Sequence, residues 1–355
     1  MENIPKIAFL KQAYDNVGPK YPYGYTEEIT PLDLLKNFNG KTSLFETLLY
    51  YKADFIIIPT SVIAPWLNTM LGLPNYKSFI EANTKNIYEV LSIDFSAYDI
   101  VITHDPILHP FTTELQKRFP KTLFCFNLVE HSSWQMHNYG FEYDIFLDHT
   151  LNSSWDVCRV PQALNYVFPR TPDKIQSMFN EIKNSIFIDY RSYGHFLSQG
   201  KNDVAITKKE IANLNTNFNT DLPIEEISEV SLRPYMLTFD SSDSIEFYKK
   251  LSRAKYFVTI ANRVGQAAFD AASAGCLVIG NKASALHSLL CHPDCLMEGN
   301  FSYKDVIKLV TKVDKDSNYF NLLLDYQNSK LQEYAVKRPI NDLSKALELK
   351  RSNNA

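Results

Sequence analysis

Short, nearly unbroken apolar runs separated by helical stretches constrain this chain more than any other feature. Residues 6–10 (KIAFL), 54–59 (DFIIIP), 98–103 (YDIVIT), 122–127 (TLFCFN) and 143–149 (YDIFLDH) are rich in β-branched and aromatic residues, and each closes on a turn or polar signal. They lack the apolar–polar alternation of a strand with one wet face, so they fit parallel strands covered by helices on both sides. Helical patterns at 78–91 and 111–119 lie between them, and a second series follows. There, 185–190, 255–260 and 276–280 read as strands, and 208–218 and 241–254 as helices. This alternation makes the fold α/β, and 355 residues are enough for two domains.

The stretch 160–174 (VPQALNYVFPRTPDK) carries three prolines and no sustained period, which suits a hinge. The expected organisation is a first doubly wound domain over 1–165 and a second over 175–317. A last helix over 318–336 then returns across the junction and stops before Pro339, and the polar tail behind it frays. Two Rossmann-like domains facing across a cleft bind ligands at the carboxyl ends of their strands. Such an architecture also serves periplasmic binding proteins and some epimerases.

A net charge of −4 leaves no dominant basic face, which argues against a nucleic-acid partner. Cys125, Cys158, Cys276, Cys291 and Cys295 are odd in number and widely spaced, as expected of reduced thiols in a cytoplasm. The N-terminus lacks the long apolar segment of a signal peptide, and no run approaches the ~18 apolar residues of a membrane span. The expectation is a cytoplasmic protein that would reach a membrane-borne substrate only peripherally.

The most informative segment is 247–284, FYKKLSRAKYFVTIANRVGQAAFDAASAGCLVIGNKAS. A helix runs into a strand, a turn follows at Gly265, and a helix of small residues (Ala267, Ala268, Ala271, Ala272, Ala274) ends at Gly275 before the next strand. A thin helix lets backbone approach a ligand or the sheet closely, and its N-terminus offers free N–H groups and a positive dipole to a phosphate. This order resembles the donor-binding motif of retaining GT-B glycosyltransferases, in which two acids bracket a Gly turn ahead of an Ala-rich turn and a Val-rich strand. The resemblance implies a GT-B fold and a nucleotide-sugar donor (UDP-, GDP- or CMP-linked) with no other cofactor. It also implies a carbohydrate acceptor, in surface polysaccharide or glycoconjugate synthesis. It places Asp270 on the second acid, which hydrogen-bonds the ribose, and sets Asn262, Arg263, Gly265 and Gln266 around the turn. The chain departs from the pattern at Asn262, where the first acid stands in the family. A helix-surface ion pair is the alternative for Asp270.

Other candidates follow strand ends. Asp189 closes the first strand of the second domain and could serve as base or nucleophile, or cap a turn; Arg191 and Lys201 are cations available for donor phosphates. In the first domain His104 and Asp105 follow a buried strand and could move a proton. Acceptor-side candidates are Asp15 and Gly18 in the first loop, and Glu130 and His131 after 122–127. No metal is expected. CHPDC (291–295) lacks a matching second cluster, and Asp314-Lys315-Asp316 lies in what reads as a polar linker. The competing functions are a nucleotide-sugar epimerase of the same fold and a two-domain sugar-binding protein without turnover.

Overall fold

The computed structural model describes residues 5–13, 50–59, 85–103, 106–128, 143–148, 163–179, 181–188, 224–225, 251–259, 266–298, 301 and 303–353. Two compact units divide the chain. The first comprises Met1–Pro169, Asp240–Ser244 and Val336–Ala355, the second Arg170–Phe239 and Ile245–Ala335.

In the first unit β1 (Ile7–Ala13), β2 (Asp54–Pro59), β3 (Ile100–Thr103), β4 (Leu123–Leu128), β5 (Ile145–Asp148) and β6 (Ala163–Asn165) form one sheet. Their order is β2-β1-β3-β4-β5-β6, and every neighbouring pair is parallel. Successive side chains on a strand point to opposite faces. Ile7, Phe9, Ile100, Ile102, Leu123 and Cys125 therefore build one core, while Ala8, Leu10, Val101, Phe124 and Phe126 build the other. Both faces are dry, which is why these strands read as continuous apolar runs. Short helices α1 (Ile87–Leu91) and α2 (Thr112–Arg118) cover the second face through Val90 and Leu115. β6 sits inside the proline-rich stretch that the sequence offers only as a hinge.

The second unit repeats the plan. β7 (Ser185–Ile188), β8 (Ile224–Glu225), β9 (Ala254–Val258), β10 (Leu277–Asn281) and β11 (Leu296–Met297) lie in the order β11-β10-β9-β7-β8, again parallel. In both units the first strand sits between the second and the third. The direction of winding therefore reverses between β1 and β3, and again between β7 and β9. At such a switch point the loops leave the sheet on opposite sides and open a crevice at the carboxyl ends of the strands.

The second unit carries α3 (Pro172–Met178), α4 (Gln266–Ser273), α5 (Ala285–Leu290), α6 (Tyr303–Asp314) and α7 (Ser317–Leu331). Val306, Ile307, Val310 and Val313 give α6 a buried stripe at helical spacing, and only its last residue, Asp314, belongs to the triplet expected in a polar linker. Gln327 on α7 is fully buried and acts as a short stand-in for a strand. Its Oε1 accepts from Val278 N–H at 2.8 Å, and its Nε2 donates to Cys276 C=O at 2.7 Å. β11 pairs with β10 only at Gly280 and Asn281, so the amide meets main-chain groups of β10 that β11 does not reach.

The polar C-terminus does not fray. A π-turn over Gln332–Lys337 leads from α7 into α8 (Arg338–Asn353), whose Leu343 and Leu347 join the first face of the first sheet. Lys350 pairs with Asp144 and Arg351 with Asp99, cations well placed at a helix C-terminus. The expected stop before Pro339 fails because proline is tolerated in the first turn of a helix. Its missing N–H would have met the carbonyl of Ala335; that oxygen accepts from Arg170 N–H instead, at 2.8 Å.

Candidate functional site

α4 is held at both ends. Its C-terminus closes in a Schellman motif, with Gly275 N–H donating to Ala272 C=O and Cys276 N–H to Ala271 C=O, both at 2.9 Å. Gly275 has φ +79°, a left-handed conformation that costs a residue with a side chain roughly 1–2 kcal/mol. Lys183 adds a cation to this end: its Nζ donates to Ala274 C=O at 2.7 Å, Ala254 C=O at 3.2 Å and Leu251 C=O at 3.3 Å. Burial lowers its pKa. Gln176 Nε2 also donates to Ser273 C=O, at 3.3 Å.

The first turn of α4 is held by Arg170, whose side chain is 0% exposed. One terminal nitrogen, Nη2, lies 2.9 Å from Asp270 Oδ1, 3.2 Å from Gln266 Oε1 and 3.3 Å from Gln266 C=O. Asp270 is therefore in an ion pair, but a buried one and not the helix-surface pair considered from the sequence. Its side chain is only 8% exposed. Arg170 itself escaped the sequence reading, because VFPRTPDK carries only the signal of a hinge.

Farther along, β10 ends against α5. His287 Nδ1 accepts from Asn281 N–H at 3.0 Å, and Ser284 caps the helix. The ring lies so close to Gly280 that a Cβ there would come within 2.9 Å of His287 Cβ and Cγ, so only glycine fits. Burial pushes the His287 pKa down to about 4, leaving a neutral ring with its proton on Nε2.

Gln266 and Asp270 are the two sequence candidates brought together by the described residues. Asn262, Arg263 and Gly265 lie outside them, in the chain between β9 and α4. Asp189, Arg191 and Lys201 follow β7 and also lie outside the described residues, as do Asp15 and Gly18 after β1, His104 and Asp105 after β3, and Glu130 and His131 after β4. In chain position, then, these candidates follow the switch-point strands β1, β3, β7 and β9, or the neighbouring β4.

CHPDC does structural work in its described form. His292 Nδ1 accepts from Asp294 N–H at 3.2 Å, its ring packs edge-on against Tyr326, and Cys291 and Cys295 are buried free thiols. Cys125 and Cys276 are also buried and free, while Cys158 lies outside the described residues. Asp314, at the end of α6, accepts from Tyr256 Oη at 2.6 Å and pairs with Lys255, and Asp316 caps α7. Among the described residues no group of three or more His, Cys, Asp or Glu gathers as a metal site. None of their helices is long and apolar enough to cross a membrane.

No protein-family model matches the chain, and no curated protein matches it. Solved structures do. HepE from Anabaena, in complex with UDP and glucose, superposes with a TM-score of 0.51 at 9% identity, over 97% of this chain and 99% of HepE. A glycosyltransferase from Rickettsia africae superposes with a TM-score of 0.52 at 10% identity, over 99% of this chain and all (100%) of that one. At such identities the likeness defines the fold: two Rossmann-like α/β units of the GT-B type.

Proposed function

We propose that this chain is a glycosyltransferase that moves a sugar from a nucleotide-sugar donor to a hydroxyl of a glycan or other acceptor, on the cytoplasmic side of surface polysaccharide or glycoconjugate synthesis. The observation that carries this reading is α4, a thin helix fixed at both ends that follows the switch-point strand β9 and carries Gln266 and Asp270. The GT-B fold supports it, and the UDP complex of HepE makes uridine diphosphate the first nucleotide to try.

In this reading the second unit holds the donor. Asp270 accepts from the ribose hydroxyls, while Gly265, Gln266 and the first turn of α4 face the diphosphate. Arg191, Lys201 and Arg263 add positive charge, so the leaving group is stabilised by fixed N–H dipoles and cations without a divalent ion. The one DxD triplet has other work, as its two carboxylates bind Lys255 and Tyr256 or cap α7. Acceptor recognition belongs to the first unit, through Asp15, Gly18, Glu130 and His131. His104, Asp105 or Asp189 serves as base or nucleophile. The match to the donor motif of retaining enzymes favours transfer with retention.

The test is a melting screen with UDP-, GDP- and CMP-sugars, followed by nucleotide release in the presence of glycan acceptors and EDTA. One nucleotide class should stabilise the protein, by about 2.7 kcal/mol at 100 times its Kd. Stabilisation by none of them would sink the proposal. Conversion of the donor into its epimer without an acceptor would replace transfer by epimerisation.

A further inference from the structure

Arg170 stands where helix stability alone would not put it. A guanidinium beside the first turn of α4 opposes the positive end of that helix's dipole. Burying it with Asp270 costs desolvation that an apolar pair of similar volume would avoid. Yet the group is fully buried, and its Nη2 donates to both oxygens of Gln266 while lying 2.9 Å from Asp270 Oδ1 in an ion pair. Its backbone is fixed too, because Arg170 N–H fills the carbonyl of Ala335 that Pro339 cannot meet. Arg170 and Ala335 are the first and last residues of the second unit.

The contact also fixes the Gln266 amide. With Oε1 accepting from Arg170, the reverse orientation would set two donors face to face. Nε2 is then a buried donor with no protein acceptor among the described residues. A buried N–H left without an acceptor is costly, and an oxygen-rich ligand at the first turn of α4 would relieve it.

We propose that Arg170 is the positioning residue of the nucleotide site, holding the Asp270 carboxylate charged and the Gln266 amide turned so that its N–H meets a ribose or phosphate oxygen. This rests on the reading of α4 as the donor helix. Arg170, with no exposed side-chain surface, acts on the ligand through those two side chains. A carboxyl buried without the Arg170 cation takes up a proton more readily, so loss of Arg170 introduces a pH dependence into nucleotide binding.

The experiment measures the Kd of UDP, GDP and CMP, together with the melting temperature of the free protein, from pH 5.5 to 8.5. It compares the wild-type chain with Arg170→Lys, Arg170→Met and the double variant Arg170→Met/Asp270→Leu. The terminal phosphate of the nucleotide itself titrates at about pH 6, so each variant is read as the ratio of its Kd to that of wild type at the same pH. Arg170→Met should bind about tenfold or more weakly at pH 5.5 and recover part of the loss by pH 8.5; Arg170→Lys should fall between. The double variant removes both buried charges, so it should melt close to wild type and still fail to bind, which keeps the test valid if Arg170→Met does not fold. Affinity equal to that of wild type at every pH in Arg170→Met, or full binding by the double variant, would overturn this inference alone. A wild-type protein that binds none of the three nucleotides would overturn the donor-site reading and this inference together.

Discussion

Both faces of the first unit's sheet are packed mainly with hydrocarbon, Phe95 against Phe119 and Phe124 and Phe126 against Tyr143 at ring distances of 5.2–5.9 Å, and its buried Thr103, Thr112 and Thr122 hydroxyls bond to main-chain carbonyls. The second unit has the same order over its five strands, but it secures its central elements with polar groups: the buried Arg170 at the head of α4, the half-buried Lys183 at its foot, the buried Gln327 along β10 and the buried His287 beyond it. Apolar packing tolerates small changes of volume, whereas a half-satisfied polar network is worse than an apolar core. Two units of one topology should therefore respond differently to equally small substitutions. The polar solution stands around the helix assigned to the donor, where fixed geometry matters most.

Gln327→Leu should show the contrast most strongly. It keeps the volume but leaves Val278 N–H and Cys276 C=O without partners, at about 1–3 kcal/mol each, for a total loss of roughly 2–6 kcal/mol in denaturant unfolding. A loss below 1 kcal/mol would mean that β10 does not depend on the amide.

Acid provides a second, somewhat smaller probe. His287 is neutral when folded, with its pKa held near 4, against about 6.5 when unfolded. The unfolded chain therefore binds the extra proton first. The stability in question is intact above pH 6.5, declines as pH falls towards 4, and is fully lost below that. Between pH 7 and 5 the linkage amounts to about 2 kcal/mol. Urea titrations of the wild type and His287→Gln should diverge in slope over this window; parallel curves would remove His287 from the acid sensitivity.

The smallest effect belongs to the first unit. Ile102→Val deletes one methylene from a position 1% exposed and should cost about 0.5–1.5 kcal/mol. A cost equal to that of Gln327→Leu would erase the contrast between the units.

The strands were largely legible because parallel strands buried on both faces must be apolar at nearly every position; β2, β3, β5 and β7 each fall within an expected run, and β4 and β9 overrun theirs by one residue. β6, β8 and β11, only two or three residues long, carry too little pattern to read. α8 was hidden by polar composition and by Pro339, although Leu343 and Leu347 already stood one helical turn apart. Asp270 and Gln266 were legible through the small residues around them. Arg170 was not, because nothing local marks an arginine whose partners lie about a hundred residues away in the chain. Charge pairing across that distance is a property of the fold, and the sequence carries it without a spacing to recognise.

The central claim is that α4 holds the donor nucleotide, and Asp270→Asn tests it most directly. The amide preserves the shape of the buried side chain and removes its charge. Calorimetric titration at pH 7.5 with the nucleotide that stabilises the wild type should give a Kd raised about tenfold to a hundredfold, the loss of one charge-assisted hydrogen bond. A folded Asp270→Asn protein that binds the nucleotide with wild-type affinity would contradict the account, leaving Asp270 and Arg170 as a buried pair that holds the unit together and nothing more.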